Sequence, residues 1–291
     1  MRNLNRFWLG FLRLTLLVVS LSMVGGCADL SEVRTFATEA ATLPDEFGAM
    51  GQVFQETWNR QEPYLFGDAR KLAAENHKKR QAIAADLDLL RSMVDRYLRS
   101  LADLAGESRF DRSHQLEELP RGMLAHPQFG LDERHAQAYG QVGNVLARWT
   151  AETVQQVTVK DLVIASDAPL QLLLDAMDSL LRVFVKAHDE ERKQVLGLFE
   201  SELPFAEERH DRLLVALGRA KRQSLERAYL QTDLRLQRTA ALVRSVSTGH
   251  TVLAREADRL SVQEVRLALS AISRDIREIR STMSRFQLKG S

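Results

Sequence analysis

At several places the chain puts a carboxylate and an imidazole three residues apart. Glu207-Glu208-Arg209-His210 contains Glu-x-x-His, which on a helix brings both side chains to one face, as carboxylate-bridged metal bundles require. Asp132-x-x-His135 offers a shorter carboxylate at a helix start, and His188-x-x-Glu191 runs in the reverse order. A complete site of that kind needs two such pairs and a glutamate from each of two further helices. Glu207 and His210 therefore stand as weak metal candidates whose simpler reading is a solvated helix face, and no metal or other cofactor is expected. Other chemistry leaves fewer marks. There is no Gly-x-Ser-x-Gly elbow for acyl transfer. Gly140-Gln-Val-Gly143 lies inside a helical stripe with no lysine after it, so it is not a phosphate loop. A Cys/His metal cluster cannot be built from one cysteine, Cys27. No catalytic residue is assigned, and the chain is expected to be non-enzymatic.

Cys27 closes a run with its own pattern. Arg2, Arg6 and Arg13 are basic, residues 14–24 (LTLLVVSLSMV) are apolar, and Gly25 and Gly26 are the small residues a signal peptidase requires. Val24-Gly25-Gly26-Cys27 resembles the lipobox of a bacterial lipoprotein signal. The resemblance implies cleavage before Cys27, with acyl chains such as palmitate on its sulfur and on the new amino terminus. It also implies a place in the cell envelope, facing the periplasm. Ala28 follows the cysteine where inner-membrane retention would want aspartate, so the outer membrane is favoured. Two other readings compete. A transmembrane anchor wants about 20 apolar residues, and Arg13 cuts the run short. An ordinary secretory signal fits the small residues but leaves Cys27 beside the cleavage site by coincidence.

The expected organisation is a signal peptide at 1–26, a tether with short helices at 27–67, and a helical bundle at 68–291. After residue 26 the chain carries 37 basic and 39 acidic residues, glycine and proline are sparse, and no internal disulfide is possible. After residue 26, Leu, Ala, Arg and Glu are the commonest residues, all strong helix formers. No segment alternates at period two. The fold class is all-α: an elongated antiparallel bundle of long, coiled-coil-like helices.

Apolar spacing places those helices. Two short pieces are expected before residue 60, with Asp45 capping the second, and Glu62-Pro63 breaks the chain. The first long helix is expected over 68–105, where Ile83, Leu87, Leu90, Val94, Tyr97, Leu101 and Leu104 alternate steps of four and three. Residues 106–131 break the pattern with Gly106, Pro120, Gly122, Pro127 and Gly130, so their apolar residues either plug one end of the bundle or form a binding loop. A second long helix is expected over 132–165 on the stripe Tyr139, Val142, Leu146, Trp149, Thr153 and Val157. Ser166-Asp167-Ala168-Pro169 reads as the start of a third. That helix is expected to reach about 203, with Pro204 starting or kinking the next and a break at Ser247-Thr248-Gly249. The last helix carries Val262, Val265, Leu269, Ile272, Ile276, Ile279, Met283 and Phe286 behind the capping-box pattern Ser261-Val262-Gln263-Glu264.

Polar residues interrupt two of these seams. Asn76 and Arg80 lie on the first long stripe and Glu191 on the third. They either meet in a buried layer that fixes helix register, or reach water where the bundle is thin. From residue 205 onward there are 17 basic and 10 acidic residues, a basic half that either meets lipopolysaccharide, cell-wall polymer or another anionic partner or, more simply, packs its basic helices beside acidic ones. Trp58 and Trp149 are expected in the core. Aromatic residues make up 7% with no basic-aromatic interleaving, so nucleic acid is not a partner. The expected function is a lipid-anchored envelope scaffold or interaction module, bound to the membrane by its lipid and to an envelope protein or to itself. The alternative is a periplasmic helical domain that binds a ligand or metal.

Overall fold

The structure, a computed structural model, describes residues 29–106, 122–151, 158–208 and 211–287. They form an antiparallel helical bundle: α1 (Ser31–Ala40), α2 (Leu43–Gln55), α3 (Thr57–Gln61), α4 (Gly67–Leu104), α5 (Glu133–Ala151), α6 (Val159–Glu208), α7 (Arg212–Arg255) and α8 (Gln263–Gln287). Single 3-10 turns follow α3 and precede α5, and among the described residues the one β-bridge joins His126 to Leu131. No described helix is long and apolar enough to cross a membrane.

The spine is the hairpin of α6 and α7, 50 and 44 residues long, or roughly 75 and 65 Å at the α-helical rise. α5 packs on α6, and α8 packs on α7. α4 closes the bundle, with α1 between it and α8 and α2 between it and the spine. The short helices of 31–55 are core elements. Val33, Phe36, Ala37 and Ala40 of α1 are fully buried at steps of three, one and three, the inner face of a helix. The apolar stripe of α4 is buried from Ile83 to Leu101, and Val265, Leu269, Ile276 and Met283 bury the face of α8.

Several helix boundaries differ from expectation, each for a local reason. α2 begins at Leu43 with Pro44 in its first turn, so Asp45 lies inside the helix. The expected helix over 132–165 is two elements, α5 and the start of α6, and Thr153 and Val157 lie outside the described residues. α6 starts at a reciprocal cap. Asp161 Oδ2 accepts from the Thr158 amide at 3.2 Å and its hydroxyl at 2.7 Å, while the Thr158 hydroxyl oxygen accepts from the Asp161 amide at 3.2 Å. The helix then runs through Ser166-Asp167-Ala168-Pro169 without restarting. The Ser166 hydroxyl turns back to the Leu162 carbonyl at 2.6 Å, and Asp167 points to another helix. Pro204 is also internal to α6. α7 is capped by Asp211, whose Oδ1 accepts from the Leu214 amide at 3.1 Å.

α7 continues through Ser247-Thr248-Gly249 because that glycine is a packing residue. A Cβ at Gly249 would lie 2.1 Å from Cε2 of Phe36, whose ring is fully buried. Only a residue without a side chain lets α1 and α7 approach this closely.

Part of the uneven charge of the sequence is absorbed within the bundle. Arg266 meets Asp29, Arg277 and Arg280 meet Glu39, and Arg235 meets Glu46.

Candidate functional site

The polar interruptions converge. Glu191 of α6 is 1% exposed, and Arg60 of α3 grips both its oxygens, Nε to Oε1 at 2.9 Å and Nη2 to Oε2 at 2.7 Å. The Tyr229 hydroxyl of α7 donates to Oε1 at 3.2 Å. Such a bidentate, charge-assisted pair is the geometry in which a buried carboxylate is best satisfied. Arg80 of α4 is 7% exposed, and its guanidinium lies 5.3 Å from the centroid of the Phe54 ring. Burial pulls the Arg80 pKa down, opposed by the charges of Glu191 and Glu190, while Arg60 adds to the decrease. The Tyr229 phenol is pushed up, first by burial and then by the neighbouring Glu191 charge. The polar layer is therefore real and buried, with Arg60 and Tyr229 as members the stripe pattern did not name. Asn76 is half-buried one turn before Arg80.

One turn from Glu191, His188 Nε2 donates to the Tyr229 carbonyl at 3.2 Å and lies 3.0 Å from Asp233 Oδ1. Asp233 also takes Arg192 at 2.6 Å. The hydrogen-bonded network thus joins α3, α6 and α7, with Arg80 of α4 beside it and feeling the Glu191 charge. Among the described residues, Arg80 Nη1, His188 Nδ1, His77 Nδ1 and the Gln55 amide are buried without a protein hydrogen-bond partner, so the network is not self-satisfied.

A second buried network joins α4, α6 and α7. Asp167 Oδ1 lies 2.9 Å from His250 Nδ1, and the other ring nitrogen of His250 meets the Tyr97 hydroxyl. The Ser166 hydroxyl lies 3.0 Å from that of Tyr97. The hydrogen bond from His250 holds the Asp167 carboxyl below the usual carboxylate range, against an upward push from burial. Burial drives the Tyr97 phenol well above its ordinary pKa. An acid, an imidazole and a hydroxyl in sequence is the order of a nucleophilic relay. Here Tyr97, Ser166 and His250 are each 0% exposed, so the relay ends inside the bundle and presents no nucleophile to a substrate. What it can do is clamp three helices.

Histidine–aspartate contacts recur at other junctions. His126 lies 2.7 Å from Asp86 of α4, whose other oxygen accepts from the Leu124 amide at 3.0 Å. His135 of α5 lies 3.1 Å from Asp175 of α6. With Met123, Phe129 and Leu131 buried, the described part of the 106–131 stretch is a plug tied down by Asp86. Residues 107–121 lie outside the described residues.

The remaining sequence candidates are scattered. Val24, Gly25, Gly26, Cys27 and His210 lie outside the described residues. Glu207 ends α6 on an exposed face and pairs with Arg219. Asp132 caps α5, accepting from the Arg134 amide at 3.0 Å and the His135 amide at 3.4 Å. Among the described residues, no group of three His, Cys, Asp or Glu side chains is placed to hold a metal. Trp58 is half-buried and stacks on His77 at 5.9 Å. A groove of about 440 Å³ runs between α2 and α4, floored by Phe47, Gly48, Gly51 and Leu87 and edged by Gln55 and Arg91.

Comparison of the chain with protein-family models, with curated proteins and with solved structures finds no match.

Proposed function

We propose that this chain is a lipid-anchored lipoprotein of the bacterial envelope, favouring the outer membrane, whose helical body acts as a non-enzymatic scaffold or interaction module. The observation that carries the reading is Val24-Gly25-Gly26-Cys27 at the end of a basic and then apolar run. Two acyl chains hold a protein stably where one does not, which suits a body without a membrane-spanning helix among its described residues. The buried polar layers support the interaction-module part. The hydrogen bonds these side chains make run from helix to helix, which stiffens the body and leaves binding to its surface.

Fractionation and metabolic labelling with a clickable palmitate analogue test this. The wild-type chain takes the label and sediments with membranes, and Cys27→Ser loses both properties. Label retained by Cys27→Ser would overturn the anchor. The groove between α2 and α4 favours the second reading, a ligand-binding helical domain. A ligand that raises the melting temperature of the wild type and not of Gly51→Leu would establish it.

A further inference from the structure

We propose that the far end of the α6–α7 hairpin pairs with the same segment of a second copy of this chain, the two hairpins forming a four-helix bundle. This rests on the reading of the chain as an interaction module and names its partner.

The hairpin outruns the helices that cover it. Tyr64 packs on Phe199 with ring centroids 5.7 Å apart. Beyond that level, in 200–208 and 212–228, only Ala206 and Val215 are buried. Leu213, Leu214 and Leu217 are 70%, 50% and 61% exposed. They lie at steps of one and three, within two turns on one side of α7. A cluster of exposed leucines at the end of a projecting element marks a contact surface.

Its charges say what covers it. Residues 200–208 carry Glu200, Glu202, Glu207 and Glu208 and no base. Residues 212–228 carry Arg212, Arg219, Lys221, Arg222 and Arg227, with Glu226 the one acid. One helix of the tip is acidic and its neighbour basic. A two-fold axis along the hairpin brings the acidic helix of each copy against the basic helix of the other, and self-complementarity of this kind is what a two-fold interface needs. Within one hairpin Glu207 pairs with Arg219 and Glu200 with Arg222. Glu202, Glu208, Arg212, Lys221 and Arg227 carry no ion pair among the described residues and remain for the partner. The Glu200–Arg222 pair sets Glu202 and Lys221 at nearly the same height, so a parallel partner meets one with the other. An anionic lipid surface would select a face of one sign, and the acidic helix beside the basic one argues against it.

Three leucines per copy make a small interface, below the roughly 1,200 Å² of a stable complex. Pairing is therefore weak for free chains. It becomes strong between chains tethered to one membrane, where effective concentration reaches the order of millimolar. The first turn of α7 stands about 65 Å along that helix from its end at Arg255, and Arg255 belongs to the end of the bundle where Asp29 meets Arg266. The pairing surface is thus held away from the end that follows Cys27.

Disulfide trapping in isolated membranes tests the pairing, with copper-phenanthroline as oxidant and the full chain carrying Leu217→Cys. Cys27 is the only native cysteine. A dimer at twice the chain mass should form about tenfold more efficiently than with Leu267→Cys, a similarly exposed leucine (60%) outside the tip. Lys221→Glu should reduce trapping, and adding Glu202→Lys should restore it. Equal trapping at the two positions, a cross-link only to a different protein, or trapping indifferent to Lys221→Glu would each overturn the proposal. The anchor is read separately. If the chain proves soluble, sedimentation of full-length Cys27→Ser at high concentration still shows a dimer that Leu217→Glu abolishes, and a strict monomer there counts against pairing.

Discussion

Glu191 and Arg60 stand 131 residues apart in the chain and 2.7 Å apart in the fold, with the glutamate sealed from solvent and the arginine at its edge. Their pairing turns a break in the apolar seam of α6 into a junction between helices. The short helix α3 is fastened to the long hairpin by a charge, and Tyr229 and Arg80 complete the surroundings. Removing one partner of such a pair strands the other charge in the interior, which is costlier than replacing the pair with apolar groups.

Arg60→Ala, which strands the sealed Glu191 carboxylate, should therefore destabilise the fold by about 3–5 kcal/mol, measured by urea denaturation. Glu191→Ala should cost less, because the Arg60 side chain left behind is partly in water. Arg80→Leu tests the register role. It should lower stability or alter the oligomeric state seen by light scattering, and no change in either would remove that role.

The Asp167–His250–Tyr97 relay predicts a pH dependence. The folded-state pKa of Asp167 is depressed below its ordinary value. Its contribution is therefore present above about pH 4 and lost as pH falls through the lowered value. Wild type should exceed Asp167→Asn in stability at pH 7, and the gap should close towards pH 3. Tyr97→Phe, which leaves His250 and Ser166 short of a buried partner, should cost about 1–3 kcal/mol at pH 7.

Gly249→Ala should be among the most damaging methyl additions in the chain. The new Cβ would overlap the buried Phe36 ring, and overpacking of this kind costs about 1–3 kcal/mol. A thermal melt should show the loss, and Phe36→Leu in the same chain should recover part of it. Gly140, with open space where its Cβ would go, is the control: Gly140→Ala should be neutral or stabilising.

Thr158→Ala should cost about 0.5–2 kcal/mol by removing the cap of α6, while Ser166→Ala should act only through the Tyr97 network. Hydrogen exchange separates the two, since loss of the cap speeds exchange in the first turn of α6 and leaves α4 unchanged.

The apolar seams were legible in the sequence because burial repeats with the helix. Ile83 to Leu101 and Val265 to Met283 face inward as their spacing requires. Arg80 and Glu191 were legible as exceptions on those seams. Their partners were not, because Arg60 sits on a five-residue helix too short to show a period. The helix starts show a different failure. Asp167 before Ala-Pro has the chemistry of a cap, but the same acceptor serves sideways to His250, and sequence does not say which. Gly249 has the propensity of a break and the size of a contact residue, and only the facing Phe36 decides between them. The hairpin tip left a readable trace, acids up to Glu208 and bases from Arg212. What made it a surface, the end of its cover at Tyr64, depends on where other helices stop.

The anchor remains the centre of the functional account, and intact mass spectrometry of the mature N-terminal peptide tests it most directly. A lipid-anchored chain gives a peptide beginning at Cys27 whose mass includes a diacylglyceryl group on the sulfur. A peptide beginning at Ala28, one beginning at Cys27 with an unmodified thiol, or an uncleaved chain from Met1 would contradict it.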